Sequence, residues 1–172
     1  MAKTSGGVRT LKTGSREYRK RESEVNEMIA SGKYQSVKMS SGGGYVAIEK
    51  STFKHKPEEL EVANILASKG YKVILKNEAG QIKSADGTIF SATFEQRTPK
   101  QSRFKKSLEH AKNKNTEKQK IDIGVVYDKY RIYNKKDVEI GIKDYESQNK
   151  YRFKQIIVIS NKGNVHIHRH NN

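Results

Sequence analysis

The chain has 172 residues, of which 35 are Lys or Arg and 19 Asp or Glu, for a net charge of +16, and 33% are hydrophobic. This length suits one compact domain plus a tail, and the charge exceeds what solubility needs, so a polyanion, nucleic acid first, is the expected partner. The absence of Cys excludes disulfides, thiolate chemistry and Cys-ligated zinc; no apolar run approaches the roughly 18 residues of a spanning helix and no signal-peptide core follows Met1, so no integral membrane association is expected.

Residues 1–14 lack periodicity, are rich in small and basic residues, and read as a flexible basic arm. Ser15 is an N-cap candidate for a helix with Tyr18, Val25, Met28 and Ile29 on one stripe, stopped by Gly32. Two short strands around Gly42, Gly43 and Gly44 follow, which makes residues 15–50 a helix-and-hairpin extension. The glycine run lacks the Lys-Ser/Thr ending of a phosphate loop and precedes a strand, so a plain turn is the better reading.

Residues 51–172 are expected to form the main domain. Pro57 opens a helix at its preferred first position and Gly70 closes it. Strand YKVILK, a turn, the segment IKSADG and a long strand TIFSATFEQR come next, ended by Thr98 and Pro99. A basic amphipathic helix is predicted over 101–120, with Phe104, Leu108 and Ala111 on its apolar stripe. The buried strand IDIGVVY, a helix near DVEIGIKDYESQ and a closing hairpin QIIVIS-NKGN-VHIHRH complete the chain. Helices alternating with short strands predict an α/β fold, a mixed β-sheet flanked by helices.

The charge is unevenly placed. Residues 1–56 hold 12 basic and 5 acidic residues, residues 57–100 hold 6 of each, and residues 101–136 hold 11 against 4, so a neutral stretch lies between two blocks of +7. An electrostatic binder gains nothing from carboxylates there, since each repels phosphate, whereas a metal-dependent nuclease needs them. Strand alternation puts Ser91, Thr93, Glu95 and Arg97 on one face, and Asp86 precedes that strand at an Asp-Gly turn. Two carboxylates converging with a cation suit a hard divalent ion, Mg²⁺ or Mn²⁺, and a phosphodiester. At about 100° per residue, Glu59 projects within the stripe of Val62, Ile65 and Leu66, with Glu61 at its margin. The plainer account of Glu58, Glu59 and Glu61 is that they complement the positive end of the helix dipole.

Over roughly residues 42–168, the stretches GGGYVAIEK, ELEVANILASKGYKVIL, SADGTIFSATFEQR and KQIIVISNKGNVHI resemble the C-terminal nuclease domain of contact-dependent growth-inhibition toxins, a tRNA-cleaving group of the PD-(D/E)xK restriction-endonuclease-like superfamily. The resemblance implies a PD-(D/E)xK nuclease-like core with Asp86 and Glu95 as metal ligands, Glu59 or Glu61 as a ligand or water-positioning group, and Arg97 in the place of the family's Lys. It further implies a toxin that acts on tRNA in the cytoplasm of a target cell and is neutralised by a cognate immunity protein. Delivery from another cell, or coding by a phage or mobile element, fits that role. Ala85 replaces the motif's Pro. Arg97 cannot give up a proton near neutral pH, so a general-base role is lost while orienting water or stabilising a pentavalent phosphate remains.

Arg103, Lys105, Lys106 and Lys112 lie just downstream of the acidic strand and are the expected nucleic-acid contacts. Tyr130, Arg131 and Tyr133 place aromatics among basic residues, a composition that stacks on unpaired bases, while Tyr127 ends a buried strand. Two rivals stand beside metal-dependent RNA cleavage. One is a metal-independent RNase of the barnase and colicin type, drawing on His166, His168 and Arg169. The other is a non-catalytic nucleic-acid-binding protein with a degenerate nuclease site.

Overall fold

The structure is a computed structural model that describes residues 9–51, 54–77 and 84–170. It divides into two compact units, an N-terminal one spanning Val8–Ser91 and a C-terminal one that includes Ala92–Asn172. Among the described residues no helix is long and apolar enough to cross a membrane.

In the N-terminal unit, helix α1 (Arg16–Ser31) starts at Ser15, whose hydroxyl accepts the N–H of Tyr18 at 3.2 Å, and ends at Gly32 in the left-handed region. Its buried Val25 packs with Tyr45 and Ala47, joined by Met28, Tyr34 and Val37. Strands β1 (Tyr34–Met39) and β2 (Tyr45–Glu49) form the expected antiparallel hairpin. Helix α2 (Pro57–Ser68) then crosses to β3 (Lys72–Leu75), which lies parallel to β2, and β4 (Gly87–Ile89) pairs antiparallel with β3. Val62, Leu66, Val73, Leu75 and Ile89 are fully buried there. Each such side chain contributes about 1.5–3 kcal/mol through removal from water.

The long strand expected over TIFSATFEQR is two strands. Phe90 and Ser91 both take positive φ, 47° and 71°, which breaks the extended run between β4 and β5 (Ala92–Arg97). Such φ values are unusual for residues with a side chain. The Phe90 ring is held 5.9 Å from Tyr71 and 6.0 Å from the Arg21 guanidinium carbon, contacts that offset the local strain.

The C-terminal unit is two successive strand–helix–strand crossovers with a terminal hairpin. Strand β5, helix α3 (Phe104–Lys112), β6 (Ile123–Asp128), helix α4 (Lys135–Gln148) and β7 (Gln155–Ser160) place three strands in parallel, and β8 (Val165–Arg169) returns antiparallel to β7. The two helices pack on each other closely enough that a Cβ on Gly141 would lie 2.6 Å from the Phe104 side chain. Phe94, Leu108, Ile121, Val125, Tyr145, Ile157 and Ile159 fill the core. Each unit thus combines parallel and antiparallel neighbours with helices, a mixed α/β architecture.

Helix α3 is shorter than expected, ending at Lys112 rather than running to residue 120. The cause is local. Asn115 turns its carbonyl oxygen to the N–H of Ile121 at 2.7 Å, and the Thr116 hydroxyl accepts the N–H of Gln119 at 3.0 Å, so side chains satisfy the backbone in a looped form. Lys114, Lys118 and Lys120 therefore leave the helix face.

Candidate functional site

The acids expected in the site fall in both units. In the N-terminal one, Glu59 sits in the first turn of α2, where its Oε2 accepts the backbone N–H of Lys56 at 2.8 Å and lies 3.2 Å from Nδ1 of His55. This satisfies an orphan amide at the helix start. His55 thus has as a partner Glu59, four residues further along the chain. Glu61 is half-buried on the same helix. Asp86 is only 5% exposed, in the segment leading into β4, where its backbone carbonyl accepts the N–H of Lys76 at 3.0 Å.

In the C-terminal unit, β5 carries Glu95 and Arg97 two positions apart, so both side chains point to one face, while the strand pairs in parallel with β6 through Glu95 opposite Gly124 and Arg97 opposite Val126. That face is covered by α3, since Gly124 lies against Leu108. Glu95 is 4% exposed. Its Oε2 is 3.5 Å from Nε2 of His110 on α3, and the Arg97 guanidinium stands 3.4 Å from each nitrogen of the same imidazole. The imidazole is about one-third exposed, so the cluster couples a buried carboxylate to a reachable proton carrier and a fixed cation. His110 is absent from the sequence-based set. It follows the buried Ser107 by three positions, on the flank of the apolar stripe, and that helical spacing is the signal for it.

Among the described residues no three His, Asp or Glu side chains gather to hold a metal ion. The Glu95, His110 and Arg97 cluster offers one carboxylate, whereas a hard divalent ion asks for several oxygen ligands. That cluster by itself does not supply the ligand set of such an ion.

No protein-family model and no curated protein matches the chain. Among solved structures, one chain aligns over 71% of this chain and 98% of its own length, at 22% identity and a TM-score of 0.53. That structure is a CdiA-CT/CdiI toxin and immunity complex from Burkholderia pseudomallei. At this identity the toxin–immunity neighbour establishes a likeness of fold.

Around the cluster, the expected nucleic-acid contacts divide. Lys105 donates to Oε1 of Gln148 at 2.5 Å and Lys112 to Oδ1 of Asn149 at 2.7 Å, which fastens α3 to the end of α4. Lys106 is 3.8 Å from Glu109, and Arg103 is exposed at the N-cap of α3. The histidines at the end of the chain, His166 and His168 on β8 and His170 just after it, do not line one cavity together. His166 is exposed, whereas His168 and His170 line a cavity of about 300 Å³ with Tyr145, Glu146 and Phe153. Burial, with a smaller contribution from His166, holds the His168 imidazole below its ordinary pKa. The glycine-rich turn is covered by the chain itself: Leu11 donates its N–H to Gly42 at 2.8 Å, and a Cβ on Gly43 would strike the Leu11 side chain at 2.6 Å. A structural turn, not a phosphate cradle, is what these glycines form.

Proposed function

We propose that the chain is an RNA-cleaving toxin effector whose catalytic centre is Glu95, His110 and Arg97. The observation that carries this reading is the cluster itself, in which the imidazole of His110, about one-third exposed, lies 3.5 Å from the buried Glu95 carboxylate and 3.4 Å from the Arg97 guanidinium. His110 takes the proton of a ribose 2′-hydroxyl as that oxygen attacks phosphorus, and Glu95 stabilises the imidazolium so formed. Arg97 faces the negative charge that develops on the phosphate, a role that an always-charged guanidinium fills. The P–O5′ bond breaks, the 5′ oxygen leaves with a proton from water, the imidazolium returns its proton to the hydroxide so formed, and a 2′,3′-cyclic phosphate remains.

The net charge of +16 favours an RNA substrate, and tRNA is the one the family resemblance implies. The likeness of fold to a toxin and immunity complex supports a toxin role, with a cognate immunity protein as partner, delivery from another cell and action in the target's cytoplasm. A second reading, hydrolysis dependent on Mg²⁺ or Mn²⁺ with Glu95 as an oxygen ligand, is favoured by one observation: a carboxylate 4% exposed on the strand that carries the Glu-x-Arg pattern. Incubating total tRNA with the protein, with excess EDTA and with excess Mg²⁺, separates them. A cyclic phosphate product formed in EDTA supports the metal-free route. Cleavage that appears only with the metal supports the second reading, and intact tRNA in both arms overturns nuclease function.

A further inference from the structure

Strands β5 and β6 run parallel, so their C-terminal ends emerge side by side, and in open α/β sheets ligands bind beyond such ends. Two loops start there. From Arg97 to Lys106 the chain carries Arg97, Lys100, Arg103, Lys105 and Lys106 and no acid. β6 ends at Asp128 and Lys129-Tyr130-Arg131 follow it, and Tyr130 is 44% exposed, one of four exposed large hydrophobic side chains among the described residues. The Lys100 ammonium lies 5.7 Å from the centre of its ring, which joins the two loops at this point.

The loop that carries Tyr130 is held in place from below. Asp128 is buried, and its two carboxylate oxygens accept the N–H groups of Ile132 at 2.8 Å and Tyr133 at 3.1 Å, while its carbonyl accepts the N–H of Arg131 at 3.2 Å. Arg131 takes a left-handed φ of 54° to close this turn. Tyr133 donates its hydroxyl to the carbonyl of Ser102 at 2.5 Å and sets its ring edge-on to Phe104, 5.4 Å between centres. Of the two tyrosines, Tyr133 is therefore occupied in holding the loops together, and Tyr130 is presented outward on a turn already fixed.

We propose that Tyr130 is a stacking platform for an unpaired base of the RNA, with Lys100 over one face of the ring and the base on the other. The inference rests on RNA cleavage at Glu95, His110 and Arg97 and specifies its substrate: an unpaired nucleotide rather than a base-paired one. A rigid exposed aromatic among cations is the combination that binds single strands, because every base has a face to stack and each phosphate meets a charge. A duplex presents its phosphates but not its base faces. A pre-ordered loop also avoids the entropy of ordering on binding.

The chain contains no Trp, so Tyr130→Trp places a single fluorophore at the platform. The probes are a 2′-O-methyl oligoribonucleotide, which cannot be cleaved by 2′-attack, and the same oligonucleotide annealed to its complement. The single strand is expected to quench the tryptophan strongly and the duplex weakly. By electrophoretic mobility shift, Tyr130→Ala is expected to weaken single-strand binding roughly 5- to 150-fold, with Tyr130→Phe close to wild type. Circular dichroism of each variant keeps folding separate from binding. Equal quenching by single strand and duplex, quenching by neither, or wild-type affinity in Tyr130→Ala each overturns the proposal. The readout uses no turnover: stacking at Tyr130 without any cleavage sinks the nuclease reading alone, and cleavage indifferent to Tyr130 sinks this inference alone.

Discussion

Glu59 in the N-terminal unit and Glu95 in the C-terminal unit each stand beside a histidine, at 3.2 and 3.5 Å, and everything else about the two pairs differs. The His55 side chain is almost fully covered, and the oxygen it faces also takes the Lys56 amide, so that pair is closed into a helix start. His110 is reachable, faces Arg97 as well, and joins a strand residue to a helix residue across the packed face of a parallel pair. The same contrast holds more widely in the N-terminal unit. Glu24 takes the Lys72 ammonium at 2.8 Å and the Tyr45 hydroxyl at 3.3 Å, and Glu49 accepts the N–H of Asn77 at 2.9 Å. A carboxylate held by backbone amides and lysines is taken up in structure, whereas one beside an accessible imidazole is placed to exchange a proton with it.

Substitution at the two glutamates tests that contrast with the largest effect. Glu95→Gln is expected to lower tRNA cleavage about 10²- to 10⁴-fold in a gel assay while the thermal midpoint holds. Glu59→Gln is expected to leave cleavage as it is, and a comparable loss there would erase the distinction. Next in size is Asp128→Ala, which leaves two backbone amides without their carboxylate and is expected to cost about 1–3 kcal/mol in urea denaturation. Glu59→Ala, the loss of a helix-start acceptor, should cost about 0.5–2 kcal/mol by the same measurement.

The smallest effects are in pH dependence, and they differ in sign between Tyr45 and His168. Burial, and then the Glu24 carboxylate, push the Tyr45 phenol up to about 12 from 10.0, so the unfolded chain loses this proton first. Its contribution is full below pH 10 and is lost as pH rises toward 12. His168, held below its ordinary value of 6.5, does the reverse: its contribution is full above pH 6.5 and falls away as the pH drops, because the unfolded chain takes up the proton first. Thermal melts across pH should show a shallower alkaline slope in Tyr45→Phe and a shallower acid slope in His168→Asn than in the wild type.

Ser15, Gly32, Pro57 and the Asn-Lys-Gly-Asn turn near the C-terminus were legible because each acts within four residues of itself, through a cap or a backbone angle that depends on residue type. The length of α3 was not. Its periodic lysines continue past Lys112, but Asn115 and Thr116 offer the backbone better partners than the next helical turn. Nor was the break at Phe90 and Ser91, since neither residue favours positive φ and the contacts that accompany it, Tyr71 and Arg21 on the Phe90 ring and the Lys72 carbonyl on its N–H, come from distant parts of the chain.

For the candidate site, the sequence by itself determined that Glu95 and Arg97 share a face, because alternation along a strand is a property of the backbone. Charge counts alone also put a neutral stretch between two basic blocks. Only the tertiary structure decided that His110 completes the group. That contact depends on how α3 lies over β5 and β6, an arrangement set by Leu108, Phe153 and the missing side chain of Gly124 rather than by any spacing along the chain. It likewise decided which tyrosine is presented outward, since Tyr130 and Tyr133 differ in the partners the fold supplies, a lysine over one ring and a carbonyl on the other's hydroxyl.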